Sequence, residues 1–148
     1  MSTSQPIAVV TGGAGFIGSH MVDVLVGRGY AVRVIDSLIG GREANIAHHA
    51  GNADVAFRKA DIRDFQPGDP FFDGVTHVFH FAGIGDIVPS IERPMEYMSA
   101  NVQGTVHMLE CARAANGGAG VKKFVYAASS SCYGLAKTPT REIGRAHV

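Results

Sequence analysis

The chain has 148 residues, enough for one domain with its own core, and 46% apolar with 18% charged residues exclude a disordered protein. Thirteen basic residues balance thirteen acidic ones, which leaves no electrostatic footprint for nucleic acid or an anionic membrane. Cys111 and Cys132 are too few for a disulfide framework, "MSTSQPIAVV" has no charged start, and no apolar run nears the roughly 18 residues of a membrane span, so a cytoplasmic location is expected.

In chain order, "IAVVT" (7–11) is a short β-branched run buried on both faces, the mark of a parallel strand. Glycines follow, and then "FIGSHMVDVLVGRG" places apolar residues at 17, 21, 22, 25 and 26, a helical period. "AVRVID" (31–36) reads as the second strand, "VAFRKAD" (54 or 55 to 61) as a half-exposed third, and "THVFHFAG" (76–83) as the fourth. A long helix is expected from Pro94, well placed for a first turn, to about Asn116, where "NGGAG" stops it. "KKFVYAAS" (122–129) completes the set as a fifth strand. Strands alternating with helices imply right-handed crossovers and a parallel sheet covered on both faces. The fold class expected is α/β, three layers, with the doubly wound order 3-2-1-4-5 and a ligand crevice at the carboxyl ends of strands 1 and 4.

Chemistry concentrates in "TGGAGFIG", which follows the first strand directly and opens the first helix. Gly12 permits a tight turn, Gly15 lets the backbone approach a pyrophosphate, and Gly18 lets helix and strand pack closely. Together with Phe16 and Ile17 these residues place backbone N–H groups at the positive end of a helix, where phosphates bind. Asp36 ends the second strand, eighteen residues after Gly18. A carboxylate there accepts from a ribose diol and repels a 2′-phosphate, so NAD is the cofactor expected rather than NADP. Arg33 and Arg42 are nearby cations that weaken this preference.

These stretches, with "DIRD" (61–64), "HFAG" (80–83), "NVQGT" (101–105) and "FVYAASSSCYG" (124–134), resemble the extended short-chain dehydrogenase/reductase family, in particular nucleotide-sugar epimerases and dehydratases of the UDP-glucose 4-epimerase type. The resemblance runs from Ile7 to about Glu142 and implies a Rossmann-type sheet, here incomplete. It implies that Asp61 and Ile62 flank the adenine, that Phe81, Ala82 and Gly83 line the cofactor, and that Asn101 steadies the active-site backbone. Plainer readings make Asp61 a turn cap and Asn101 a solvent-facing polar residue. Ser129 matches the family's catalytic Ser/Thr, Ser130 is a loop residue or sugar contact, and Ser90 in "VPS" is a weaker match to a substrate-side loop. The resemblance further implies a nucleotide-diphosphate sugar as substrate, transient oxidation at sugar C4, and a homodimer. Two alternatives stand beside it: an NADP-dependent reductase or hydroxysteroid-type dehydrogenase of the same fold, and a non-catalytic NAD(H) sensor.

Tyr133 and Lys137 show the Y-x-x-x-K spacing of the family's base and its lysine. The spacing works only on a helix, where i and i+4 share a face. Gly134 follows the tyrosine at once and Thr138-Pro139 turns the chain away from helix, so the pair reads as a decoy and Tyr133 as the end of the serine motif. The closing "IGRAHV" agrees residue for residue, stop codon included, with a translated sequencing adapter, so 142–148 are expected to be a non-native tail and 1–141 the cofactor-binding part. No metal is expected among the seven histidines. His77 and His80 sit on opposite faces of a strand, and the adjacent His48 and His49 are expected to diverge. Met95, Met98 and Met108 are expected to form a core stripe on the long helix.

Overall fold

A computed structural model describes residues 5–129. Five parallel strands, β1 (Ile7–Thr11), β2 (Ala31–Asp36), β3 (Val55–Lys59), β4 (Val75–His80) and β5 (Lys123–Tyr126), form one sheet in the order β3-β2-β1-β4-β5. This is the doubly wound Rossmann arrangement expected. Strands β3, β4 and β5 stop short of their expected ends, and after β3 and β4 the chain leaves the ladder to form loops of the crevice. The register pairs Thr11 with Ile35 and with His80, so β1, β2 and β4 end level with one another.

Alternate residues of the central strands enter opposite cores, as the two-residue period of a strand requires. Ala8, Val10, Val32 and Val34 pack with Val22 and Leu25 of helix α1 (Phe16–Gly27). Val9, Ile35 and Val78 pack on the other face with Met108, Cys111 and Ala112. Those three belong to a helical run that comprises α3 (Pro94–Met98), a π-turn (Ser99–Gln103) and α4 (Gly104–Ala114). The run matches the long helix expected from Pro94, with one difference, since Asn101 sits inside a wider π-turn, a form common at functional sites. A short helix α2 (Ile87–Glu92) replaces the loop expected around "VPS".

Met108 is fully buried, but Met95 and Met98 are 78% and 56% exposed, so the expected core stripe fails for two of its three members. The reason is that α4 packs its inner face into the sheet core, whereas α3 contributes no buried residue to it. Among the described residues no helix is long and apolar enough to cross a membrane.

Candidate functional site

A cavity of about 360 Å³ opens at the carboxyl ends of β1, β2 and β4, lined by Gly12, Gly15, Asp36, Asp61, Ile62 and Ala82 among others. Gly12 makes the turn out of β1 with φ of +67°, and a Cβ there would lie 2.8 Å from the Ala82 nitrogen. Any side chain at Gly12 would therefore meet strain and backbone at once. A Cβ on Gly18 would run into the Gly12 carbonyl oxygen, so α1 lies directly on the loop it follows. Gly15 is the N-cap of α1 and no side chain caps that end, which leaves the helix dipole facing the cavity. Phe16 and Ile17, in the first turn, are 80% and 62% exposed and do not line the cavity.

Asp36 is nearly buried and fixes both sides of the crevice. Its Oδ2 accepts from Ala14 N at 2.9 Å, and Oδ1 accepts from Leu38 N at 2.7 Å. The Ala14 carbonyl oxygen in turn accepts from Arg42 N and Asn45 Nδ2, so the connection after β2 is sewn to the glycine loop. A Cβ at Gly41 would lie 2.7 Å from the Asp36 carboxylate, which shows how closely that connection passes.

Beneath the crevice runs a polar chain through the sheet. His80 Nε2 lies 3.0 Å from Thr105 Oγ1, whose own hydrogen goes to Asn101 O at 2.6 Å. The nitrogen must then carry the ring proton, and Nδ1 accepts from Thr11 Oγ1 at 2.7 Å. Thr11 Oγ1 also accepts from Ala82 N at 3.2 Å. Burial holds the His80 pKa down at about 4, so the ring is neutral at pH 7 and every atom in the chain keeps one role. At the far end the Asn101 amide clamps Ile84, accepting from its N–H at 2.8 Å and donating to its carbonyl at 2.9 Å. Both ends of the chain thus hold one loop, residues 82–84, which lines the cavity.

Residues 8–146 match the model of the NAD dependent epimerase/dehydratase family. The chain belongs to that family. It is 34% identical over 140 residues to UDP-glucose 4-epimerase uge1 of Schizosaccharomyces pombe, covering 92% of this chain and 38% of that protein. Its fold matches UDP-N-acetylglucosamine 4-epimerase of Methanobrevibacter ruminantium with a TM-score of 0.76 and 28% identity, covering 93% of this chain and 42% of that one. The dTDP-glucose 4,6-dehydratase of Streptomyces venezuelae, solved with NAD bound, matches with a TM-score of 0.70 and 37% identity, over 80% of this chain and 38% of that one. The chain therefore spans about two fifths of the length of these family members.

Other expected site residues of this family member divide into four groups. Asp61, Ile62, Phe81, Ala82 and Gly83 meet at the cavity. Asp61 also caps the 3₁₀ turn Ile62–Asp64, so the plainer reading holds as well, and it pairs with Arg63, whose Nη2 donates to Oδ2 at 2.6 Å. The Arg63 hydrogen bonds keep the Asp61 carboxyl below its ordinary range despite partial burial. Asn101 stands behind the cavity rather than in it, as does Gly18. Ser90 lies on α2 with Oγ donating to Ile87 O at 2.6 Å, and Ser129 follows the end of β5 by three residues. Neither lines the cavity. Ser130, Tyr133, Lys137 and the tail 142–148 lie outside the described residues.

Three expectations are corrected. Arg33 takes no part in the crevice, because it faces the amino side of the sheet and donates to Phe71 O and Asp73 O at 2.7 and 2.8 Å. Arg42 is exposed and does not line the cavity, so neither cation reaches Asp36 by side chain. His48 and His49 do not diverge, because a 3₁₀ turn rather than a helix carries them and aims both rings at Asp23. Thr11, Arg63 and Thr105 escaped the sequence reading. A hydroxyl closing an otherwise apolar strand was the signal for Thr11, and Arg63 lay inside "DIRD" with a cation two residues from a carboxylate. Cys111 is buried and burial pushes its thiol up to about 11, which removes it as a nucleophile near neutral pH.

Proposed function

We propose that this chain is the NAD-binding portion of a nucleotide-sugar epimerase or dehydratase that works by transient oxidation at sugar C4. What carries the reading is the joint placement of an uncapped helix start, a side-chain-free loop at Gly12 and Gly15, and the Asp36 carboxylate around one cavity. The residues fit the cofactor. Gly12, Gly15, Phe16 and Ile17 offer backbone to the pyrophosphate, and Gly18 keeps the helix close enough to do so. Asp36 takes the ribose diol with the carboxylate lone pairs that Ala14 and Leu38 leave over. Asp61, its charge balanced by Arg63, keeps capacity for one more donor, the adenine amino group, beside Ile62. Phe81, Ala82 and Gly83 line the cofactor, and Asn101 holds their loop.

Bound NAD supplies a hydride acceptor. Ser129 orients the sugar oxygen that loses its proton, with Ser90 and Ser130 as weaker contacts to the nucleotide sugar. Tyr133 and Lys137 are not the base and its lysine, so this chain by itself binds NAD without turning substrate over. The whole protein takes a nucleotide-diphosphate sugar and pairs as a homodimer.

Calorimetric titration of NAD and NADP tests the reading. NAD should bind at least about tenfold more tightly than NADP, roughly 1.4 kcal/mol, and Asp36→Ala should erase the difference. Equal affinity for both would favour the NADP-dependent reductase. Interconversion of UDP-glucose and UDP-galactose by this chain with NAD would overturn the decoy reading of Tyr133.

A further inference from the structure

A second cluster of chemistry-bearing groups lies away from the crevice, between helix α1 and the connection that joins β2 to β3. Asp23 stands in mid-helix α1, while His48 and His49 close the 3₁₀ turn Ala47–His49. Nε2 of His48 and Nε2 of His49 each lie 2.7 Å from the same oxygen, Asp23 Oδ1. The three ligand atoms are all within 4.8 Å of one another, and the two ring centroids lie 4.2 Å apart with the planes tilted by 42°.

We propose that Asp23, His48 and His49 form a binding site for a divalent transition-metal ion, zinc in the first instance. Neutral imidazoles with one carboxylate make a donor set suited to zinc, whereas magnesium and calcium favour oxygen donors. Zinc bonds of about 2.0–2.2 Å to nitrogen and oxygen let one ion touch three atoms grouped this closely. A single cation would replace the two ring protons that now crowd one carboxylate oxygen, and a fourth position would stay open to water.

The convergence is built by the fold. Ile46 is buried in the core shared with α1 and its carbonyl accepts from His49 N at 3.0 Å, which seats the turn over the helix. His49 is the better-anchored ligand, its side chain 11% exposed, while Asp23 at 45% and His48 at 55% leave the site open to an entering ion. Metal there clamps the β2–β3 connection to α1. That connection also carries Ser37, Gly40 and Gly41 at the wall of the cofactor cavity.

The test is a titration of the full chain, purified without a polyhistidine tag, with zinc chloride in a non-chelating buffer. One ion per chain should bind with a Kd of about 10 μM or tighter. Asp23→Asn and His49→Gln should each weaken binding at least about tenfold, while His20→Gln, on the same helix but outside the cluster, should leave it unchanged. No binding at about 100 μM zinc, or binding equal in wild type and both cluster variants, overturns the site. Cobalt substitution in the wild-type chain gives a readout that needs no variant. Intense four-coordinate visible bands support the site, and a weak spectrum like that of the aqueous ion overturns it.

Discussion

Helix α1 and the helical run from Pro94 to Ala114 cover opposite faces of one sheet, and only α1 turns most of its apolar side chains to that sheet. It buries Gly18, Ser19, Val22 and Leu25, and its exposed apolar residues are Phe16 and Ile17 at the first turn and Val24. The run buries Met108, Cys111 and Ala112 yet exposes Met95, Met98, Val102, Val106 and Leu109, and α2 adds Ile87, Val88 and Ile91 at 64–77% exposure. That apolar surface is more than isolated exposed residues would produce. The difference separates two kinds of site. The glycine loop and its helix make their close contacts among the described residues, since backbone contact made by glycine needs no partner. The run has an inner face matched to the sheet and an outer face matched to nothing among the described residues.

The comparison breaks most sharply at the contact between α1 and its loop. Gly18→Val puts a branched side chain against the Gly12 carbonyl and should cost on the order of 3 kcal/mol, with NAD binding lost, in denaturant unfolding and calorimetry. The opposite face has its own weak point in His80. Its folded pKa of about 4 lies below the ordinary 6.5, so the unfolded chain takes up the proton first. The stability that the neutral network contributes is full above pH 6.5 and is lost as pH falls from there toward 4. The loss should approach roughly 3 kcal/mol in urea titrations across that window. His80→Phe should flatten this dependence, and at pH 7 should cost about 1–3 kcal/mol, because the Thr11 hydroxyl loses its buried acceptor and Thr105 its donor.

Smaller effects sharpen the contrast. Asn101→Ala strips Ile84 of both its partners and should cost about 1–2 kcal/mol, with hydrogen exchange quickening at residues 82–84 before the rest of the sheet. At the outer face, Met95→Lys with Val102→Lys should change unfolding stability by no more than about 0.5 kcal/mol per site. The same pair should reduce self-association in analytical ultracentrifugation. A wild-type chain that is already a monodisperse, cooperatively melting monomer would show that the apolar surface needs no cover.

The crevice was legible from the sequence because its parts are local. A strand, three glycines at fixed spacing, a helix and an acid at the next strand's end are each short-range signals, and Gly12, Gly18 and Asp36 stand where those signals place them. What lay beyond reach were pairings across many residues. Arg33 looked like a neighbour of the site by number, yet β2 carries it to the opposite edge, against Phe71 and Asp73. Met95 and Met98 kept the right period for a buried stripe, but period says which residues share a face and not whether anything covers it.

By itself, then, the sequence determined the sheet order, the glycine loop and the acid beside it, because strand length, helix period and glycine spacing act within a few residues. Only the tertiary structure decided that Thr11, His80 and Thr105 would form one polar chain with a single set of proton positions. It alone decided that His48 and His49 would meet Asp23, some 25 residues earlier, rather than point apart. Those contacts depend on how the crossovers pack against the sheet, and packing is a property of the whole fold rather than of any short stretch of chain.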